Sequence, residues 1–340
     1  MRVRILKDIF ETDVFLDDLD NLFKYFRTGK HSLVLSDIDA IEALKATDWY
    51  EENPRNQKII DKFIKASAKK NSGRKSITIS SQNTDINFKP GEAVRYLDQP
   101  LTILLENSVN DSPFINAVIK HFDSDGTLKI AKDEQWFKYG MGGGSSIAAV
   151  VKSDLRESFN HQSFTKDKKV YLRYFVILDS DKSWPGMTVP DYKVETFREN
   201  DVLHHVLHKR EMENYVPVEA IRKLGDNYLN LYIRFPKDEQ KDFFDIQKGF
   251  AGKARNRMQP VEVLALYPES EVPFGNWEVL KQGITMEKYK GNLFKTEFSK
   301  LFDDNTVTTA TMQAMIRHQP KHEGGLNEYE FIIDNIKKLL

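Results

Sequence analysis

Leu101-Thr102-Ile103-Leu104-Leu105 is a nearly continuous apolar run that stops at Glu106, and Tyr171-Leu172-Arg173-Tyr174-Phe175-Val176-Ile177-Leu178 is a second that stops at Asp179. Runs of this kind suit strands buried on both faces, in a parallel sheet covered by helices. Between them, Pro113 to Phe122 carries Phe114, Ile115, Val118, Ile119 and Phe122 at helical spacing, with Pro113 placed for a first turn. A short strand is expected at Thr127 to Ile130, and a helix over Ile147 to Phe159 after Gly142-Gly143-Gly144-Ser145-Ser146. Alternating strands and helices predict an α/β layer structure with a mainly parallel sheet flanked by helices. In such sheets the functional groups gather at the carboxyl ends of the strands, where Glu106 and Asp179 stand.

Outward from this centre the pattern weakens. Residues 1 to about 64 read as a small mixed unit, with helix-like apolar spacing at Ile9, Phe10, Val14, Phe15, Leu19, Leu22, Phe23 and Phe26 and a short strand at Ser32 to Ser36. Lys65 to Gly91 is rich in Lys, Ser, Asn and Gly and suits a linker or exposed hairpin around Ser76-Ile77-Thr78-Ile79-Ser80. The expected division is an accessory α/β unit over 1–95, a catalytic domain over 96–265 and a mostly helical region over 266–340.

Composition removes several function classes. The chain has 340 residues, 40% hydrophobic and 30% charged, which is ample for a buried core and gives no case for wholesale disorder. Fifty basic against fifty-one acidic side chains give a net charge of −1, so any basic surface for nucleic acid must be local. With no cysteine there is no disulfide framework, thiol nucleophile or cysteine-held metal or iron–sulfur site. Nowhere do 18 apolar residues run together, and the first residues lack an apolar targeting core, so a cytoplasmic location without a membrane is expected.

The acidic residues carry the chemistry. If the two strong strands are neighbours, Glu106 and Asp179 emerge side by side, with Asp181 two residues farther on the same side of an extended chain. Packed carboxylates repel one another and have raised pKa values unless a divalent cation holds them. Oxygen ligands of this kind favour magnesium, manganese or calcium over zinc. An acidic residue after a strand is also an ordinary turn former or helix cap, so the pair alone decides little.

The order of motifs decides more: a strand ending in Glu106, a helix, a glycine-rich segment, a strand ending in Asp179-Ser180-Asp181, then Lys209-Arg210-Glu211-Met212-Glu213-Asn214-Tyr215. Over roughly residues 99 to 215 this resembles the TOPRIM domain, a Rossmann-like α/β fold. The basic-then-Glu-Asn-Tyr stretch resembles the overcoming-lysogenization-defect (OLD) nucleases and their stand-alone TOPRIM relatives in phage defence. The closing residues, with His318-Gln319-Pro320 and Asn327-Glu328, are similar to the helical tail of such proteins. The resemblance implies a metal-dependent endonuclease in antiviral defence, using two Mg2+ or Mn2+ ions. Glu106 then binds metal or positions the attacking water, Asp179 and Asp181 are paired ligands, and Glu213 helps to hold the second ion. Glu211 competes with Glu213. A lysine beyond this motif stabilises charge at the scissile phosphate, with Lys253 preferred over Lys290 and Lys295. Where the family often has Gly and soon another acidic residue after its first Glu, this chain has Asn107-Ser108-Val109-Asn110-Asp111, leaving Asp111 as a candidate second carboxylate. The implied partners are a DNA or RNA substrate and a separate ABC-type ATPase, with a homo-oligomer left open. The competing reading is a non-catalytic regulatory or nucleic-acid-binding partner of such an ATPase.

Other features read as structural. The glycine-rich stretch lacks a G-x-x-x-x-G-K-[ST] or G-x-G-x-x-G pattern and is taken as a turn, so the chain carries no nucleotide site of its own. His204 and His208, four apart on an expected helix with His205, read as a solvated face rather than metal ligands. Lys69 to Lys75 is a local basic run, and Lys253, Arg255 and Arg257 form a candidate phosphate-contacting strip. Trp136, Phe137, Tyr139, Phe243, Phe244 and Phe250 are assigned mainly to the core rather than to base stacking.

Overall fold

The structure is a computed structural model that describes residues 1–67, 75–143, 146–253, 255–257 and 260–340. Two four-stranded, all-parallel sheets are flanked by helices, a Rossmann-like α/β architecture. In the first, β1 (Arg2–Ile5), β2 (Ser32–Val34), β3 (Ser76–Ile79) and β4 (Asn87–Phe88) lie in the order β2-β1-β3-β4. In the second, β5 (Leu101–Leu105), β6 (Phe137–Met141), β7 (Tyr174–Leu178) and β8 (Leu203–Val206) lie in the order β6-β5-β7-β8. Both sheets thus have the same topology, with the first strand inside and the direction of winding reversing between the first and third strands.

Two-sided burial explains the apolar runs. In β5, Leu101, Ile103 and Leu105 pack with Phe175 and Ile177 of β7 against Phe114, Ile115 and Val118 of the helix Ser108–Phe122. Leu104, Val176 and Leu178 face the opposite way, onto Ile147 and Val151 of the helix Ile147–Glu157 and onto Phe197. The period-2 alternation of the strands divides these residues between two cores, and every residue of β5 is buried. The first of these cores continues through the C-terminal helices Leu293–Phe298, Thr309–Ile316 and Glu328–Leu339.

Several local expectations are corrected. Thr127–Asp133 is a helix, not a strand. Asp123 Oδ2 accepts from the Leu128 and Lys129 N–H groups at 2.7 and 3.2 Å, fixing a first turn after Gly126, which has φ of 69°. Pro113 lies beyond the first turn, because Asn107 caps the helix earlier: its Oδ1 accepts from the N–H groups of Val109 and Asn110. The Ser76–Ile79 segment is no exposed hairpin but an inner strand between β1 and β4. The helix Pro90–Asp98 runs across the boundary expected near residue 95, and Ala93, Tyr96 and Leu97 join the core of the first sheet. His204 and His205 are on β8, not on a helix, with His208 in the loop that follows. The basic run at Lys69 to Arg74, together with Gly144 and Ser145, falls outside the described residues.

Candidate functional site

The winding of the second sheet reverses between β5 and β7, which is where the crevice of a doubly wound sheet opens. Glu106 leaves the end of β5 and Asp179 the end of β7, with β5 and β7 paired through Thr102–Tyr174, Ile103–Phe175 and Leu104–Val176. The sequence expectation that the two carboxylates emerge side by side is met. Ser180 Oγ donates to the Lys209 carbonyl at 2.6 Å, tying this end of β7 to the segment after β8.

Beyond Asp179 the chain does not stay extended. Asp181 has φ of 53°, in the left-handed region that a short polar side chain tolerates, and its N–H donates to the Arg210 carbonyl at 2.9 Å. The turn sends its half-exposed carboxylate onto the ammonium of Lys193. Glu106, Asp181 and Lys193 line a cavity of about 280 Å³ with Ile147, Leu178 and Tyr192.

The Lys209–Tyr215 motif divides between scaffold and site. Lys209 is buried, pairing with Asp242 at 2.8 Å and donating to the Asn214 carbonyl at 3.0 Å. Asn214 accepts from the Glu211 N–H at 3.1 Å and donates to the carbonyls of Lys241 and Phe244 at 2.8 and 3.0 Å. Tyr215 donates to Glu328 Oε2 at 2.5 Å. These three side chains hold the short helix Met212–Tyr215 in place, and the Met212 N–H donates to Asp179 Oδ1 at 3.0 Å. Glu211 and Glu213 are left to face the ammonium of Lys295.

Lys295, from the helix Leu293–Phe298, is the lysine at the cluster. Its Nζ lies 3.4 Å from Asp179 and 3.8 Å from each of Glu211 and Glu213. The preference for Lys253 is therefore corrected. That residue is exposed, and it borders a different cavity of about 170 Å³ with Arg210, Asp245, Phe250 and Tyr267. The reason is tertiary: the backbone carbonyl of Lys253 accepts from Trp277 Nε1 at 3.1 Å, holding its loop on the C-terminal helices. Lys290 pairs with Glu287 at 3.0 Å, and Arg255 and Arg257 share one 3-10 turn; no bond to the carboxylates is seen for any of the three among the described residues. Asp111 is buried, and its Oδ2 accepts from the Asn107 N–H at 2.7 Å, closing the turn between β5 and the next helix.

The electrostatics are those of surplus negative charge. Burial pushes Asp179 well above the ordinary carboxylate range, and Glu213, Glu211 and Glu106 add to this against the pull of Lys295. Burial likewise pushes Glu213 up to about 8, opposed by Lys295 and reinforced by Glu211. Glu211, Asp111 and Glu106 are raised too, each first by burial, with Lys193 the strongest opposing charge at Glu106. At Lys295, burial alone would lower the pKa, but Glu213, Asp179, Glu211 and Asp111 outweigh it and hold the ammonium charged. Six carboxylates are thus gathered around two lysines. Among the described residues Glu213 Oε2 is buried without any hydrogen-bond partner. An all-oxygen donor set with excess charge and an orphaned buried oxygen fits a hard divalent cation.

Features set aside in the sequence also find their reasons. A Cβ on Gly142 would lie 2.4 Å from Ile147 Cα, so this glycine permits close approach of helix to strand. Phe243, Phe244 and Phe250 are buried, Phe250 stacking on Trp277 at 3.9 Å. Sequence reading missed Lys193 and the pairing of Arg210 with Glu211 and Asp245. Lys193 has no motif around it, and only the turn at Asp181 brings it in. No protein family, curated protein or solved structure matches the chain. Among the described residues no helix is long and apolar enough to cross a membrane.

Proposed function

We propose that the chain is a metal-dependent phosphodiester hydrolase acting on nucleic acid, with its centre at the ends of β5, β7 and β8. The observation that carries this reading is the convergence of Asp179, Glu211 and Glu213 on Lys295, beside Glu106 and Asp181 at the switch point of the sheet. Glu106, Asp179, Asp181 and Glu213 would hold Mg2+ or Mn2+, with Glu211 and Asp111 next to them. Bound there, two such ions would supply an activated water and neutralise charge at the scissile phosphate. Lys295 reaches the same point with a positive charge that its neighbours keep protonated, suited to a phosphate oxygen. Lys193 holds Asp181 and shares the cavity with Glu106. No side-chain nucleophile is required, which agrees with a chain that has no cysteine.

The motif order from Glu106 to Tyr215 supports assignment to the TOPRIM nucleases of the OLD-like group and a setting in phage defence with an ABC-type ATPase. A net charge of −1 fits a nuclease whose substrate is presented by a partner's surface. The test is cleavage of labelled plasmid, single-stranded DNA and tRNA by the purified protein with Mg2+ or Mn2+, against EDTA and Glu106→Gln. Cleavage of one substrate that is lost in both controls is the expected result. If no substrate is cut, with or without the partner ATPase, the non-catalytic reading takes its place.

A further inference from the structure

A second group of ligating side chains lies away from these carboxylates, on the outer edge of the same sheet. His205 projects from the edge strand β8, His322 from the loop before the last helix, and Glu328 is the first residue of that helix. One ligand atom from each lies within 4.8 Å of the other two. His205 Nε2 is already 2.9 Å from Glu328 Oε1. At zinc–nitrogen and zinc–oxygen distances of about 2.0 to 2.2 Å, tetrahedral ligands stand about 3.3 Å apart, so small side-chain shifts suffice.

The surroundings are built as ligand supports are. Glu328 is buried, and its oxygens accept from the Tyr215 hydroxyl at 2.5 Å and the His208 N–H at 2.8 Å, which fix the carboxylate's orientation. The His322 ring stacks on Phe331 with 4.2 Å between centroids.

An independent observation points to a ligand. Gln319 is 8% exposed, yet among the described residues neither its amide oxygen nor its amide nitrogen has a hydrogen-bond partner. It lines a cavity of about 200 Å³ together with His205, His208, His322 and Glu328. Two buried, unpaired polar atoms are costly unless water or an ion meets them.

We propose that His205, His322 and Glu328 form a binding site for a zinc-class transition-metal ion, completed by Gln319 or water. Two imidazoles and a carboxylate select such an ion over magnesium, which prefers oxygen. The ion joins the edge of the sheet to the last helix, and through Glu328 and Tyr215 it braces the segment that carries Glu213. Its role is structural and is separate from the hydrolytic reading.

The experiment loads the full chain, stripped with a chelator, with Zn2+ and then desalts it. Bound zinc and melting temperature are measured for wild type, Asp179→Asn and His322→Phe. The last variant keeps an aromatic ring on Phe331 while removing the ligand. Wild type and Asp179→Asn should each retain about one zinc per chain and melt higher with it. His322→Phe should retain none, while melting like wild type without metal. Co2+ should give wild type the visible absorption of a tetrahedral nitrogen and oxygen site, a readout independent of any variant. Absence of zinc from wild type, equal zinc in His322→Phe, or zinc lost only in Asp179→Asn would overturn the proposal, as would a Co2+ spectrum showing only octahedral binding.

Discussion

Lys295 is the residue on which the site turns, because one ammonium faces Asp179, Glu211 and Glu213 within 3.8 Å. Removing a positioned charge that acts at the transition state costs roughly 100- to 1000-fold in turnover. Lys295→Ala should lose activity by about that factor, whereas Lys253→Ala should stay close to wild type in the same cleavage assay. Loss in Lys253→Ala with Lys295→Ala close to wild type would return the role to Lys253. Glu106, Asp179, Asp181 and Glu213 were legible from the sequence because they follow strands or sit in a compact motif. The lysine was not: Lys253, Lys290 and Lys295 are equivalent in local pattern, and only the packing of the C-terminal helices on the sheet separates them. Lys193 was hidden for the same reason, since the left-handed turn at Asp181 that brings in its ammonium has no signature beyond the residue itself.

At the scale of elements, the strands read most clearly where both faces are buried. Leu101–Leu105 and Tyr174–Leu178 declared themselves, while β6, Phe-Lys-Tyr-Gly-Met, is a strand of mixed burial whose pattern is weak. β1 begins Arg-Val-Arg-Ile, alternating as a strand should, but four residues are too short to stand out. The helix at Thr127–Asp133 was misread because its capping groups, Asp123 and Asp125, lie outside the apolar stretch. Gly142 makes a testable case of element packing. Gly142→Ala drives a methyl into Ile147 and should destabilise the protein by about 1 to 3 kcal/mol in denaturant unfolding. An unchanged midpoint would mean that the helix Ile147–Glu157 yields freely.

Glu92 ties the helix Pro90–Asp98 to the segment from Thr165 to Tyr171. Its carboxylate is buried and pairs with Lys166 at 3.0 Å, and it accepts from the Thr165 N–H and the Tyr171 hydroxyl. Burial raises its pKa, but these partners outweigh it and hold the folded value below the ordinary 4.5. The stabilisation is therefore present above pH 4.5 and is lost as pH falls through the depressed value. Glu92→Gln, which leaves the buried Lys166 ammonium without its carboxylate counter-charge, should cost about 3 to 5 kcal/mol at neutral pH. The difference from wild type should shrink in acid, as followed by urea unfolding across pH. A gap that stays constant into acid would show that Glu92 acts through shape alone.

The whole molecule repeats one topology twice, and among the described residues the carboxylate cluster stands at one of the two switch points. At the equivalent place in the first sheet, Asp8 follows β1 and is taken up by the Ser80 and Ser81 hydroxyls and the Ser81 N–H. The two sheets are joined through the last helix: Lys75 N–H donates to the Lys338 carbonyl, and buried Arg173 donates to the carbonyls of Gln99 and Leu339 at 2.5 and 2.9 Å. Arg173→Met leaves both carbonyls without that donor and should cost about 1 to 3 kcal/mol for each. A single sharp melting transition that broadens or splits would report loss of coupling between the sheets, and an unaltered transition would show that other contacts hold them.

The most direct test of the carboxylate centre is a calorimetric titration of chelator-treated protein with Mn2+, in wild type, Asp179→Asn and His322→Phe. The account predicts saturable binding in wild type and His322→Phe that is abolished in Asp179→Asn. Absence of binding in wild type, or equal binding in Asp179→Asn, would contradict it and leave the cluster as carboxylates neutralised by Lys193, Lys295 and their own protons.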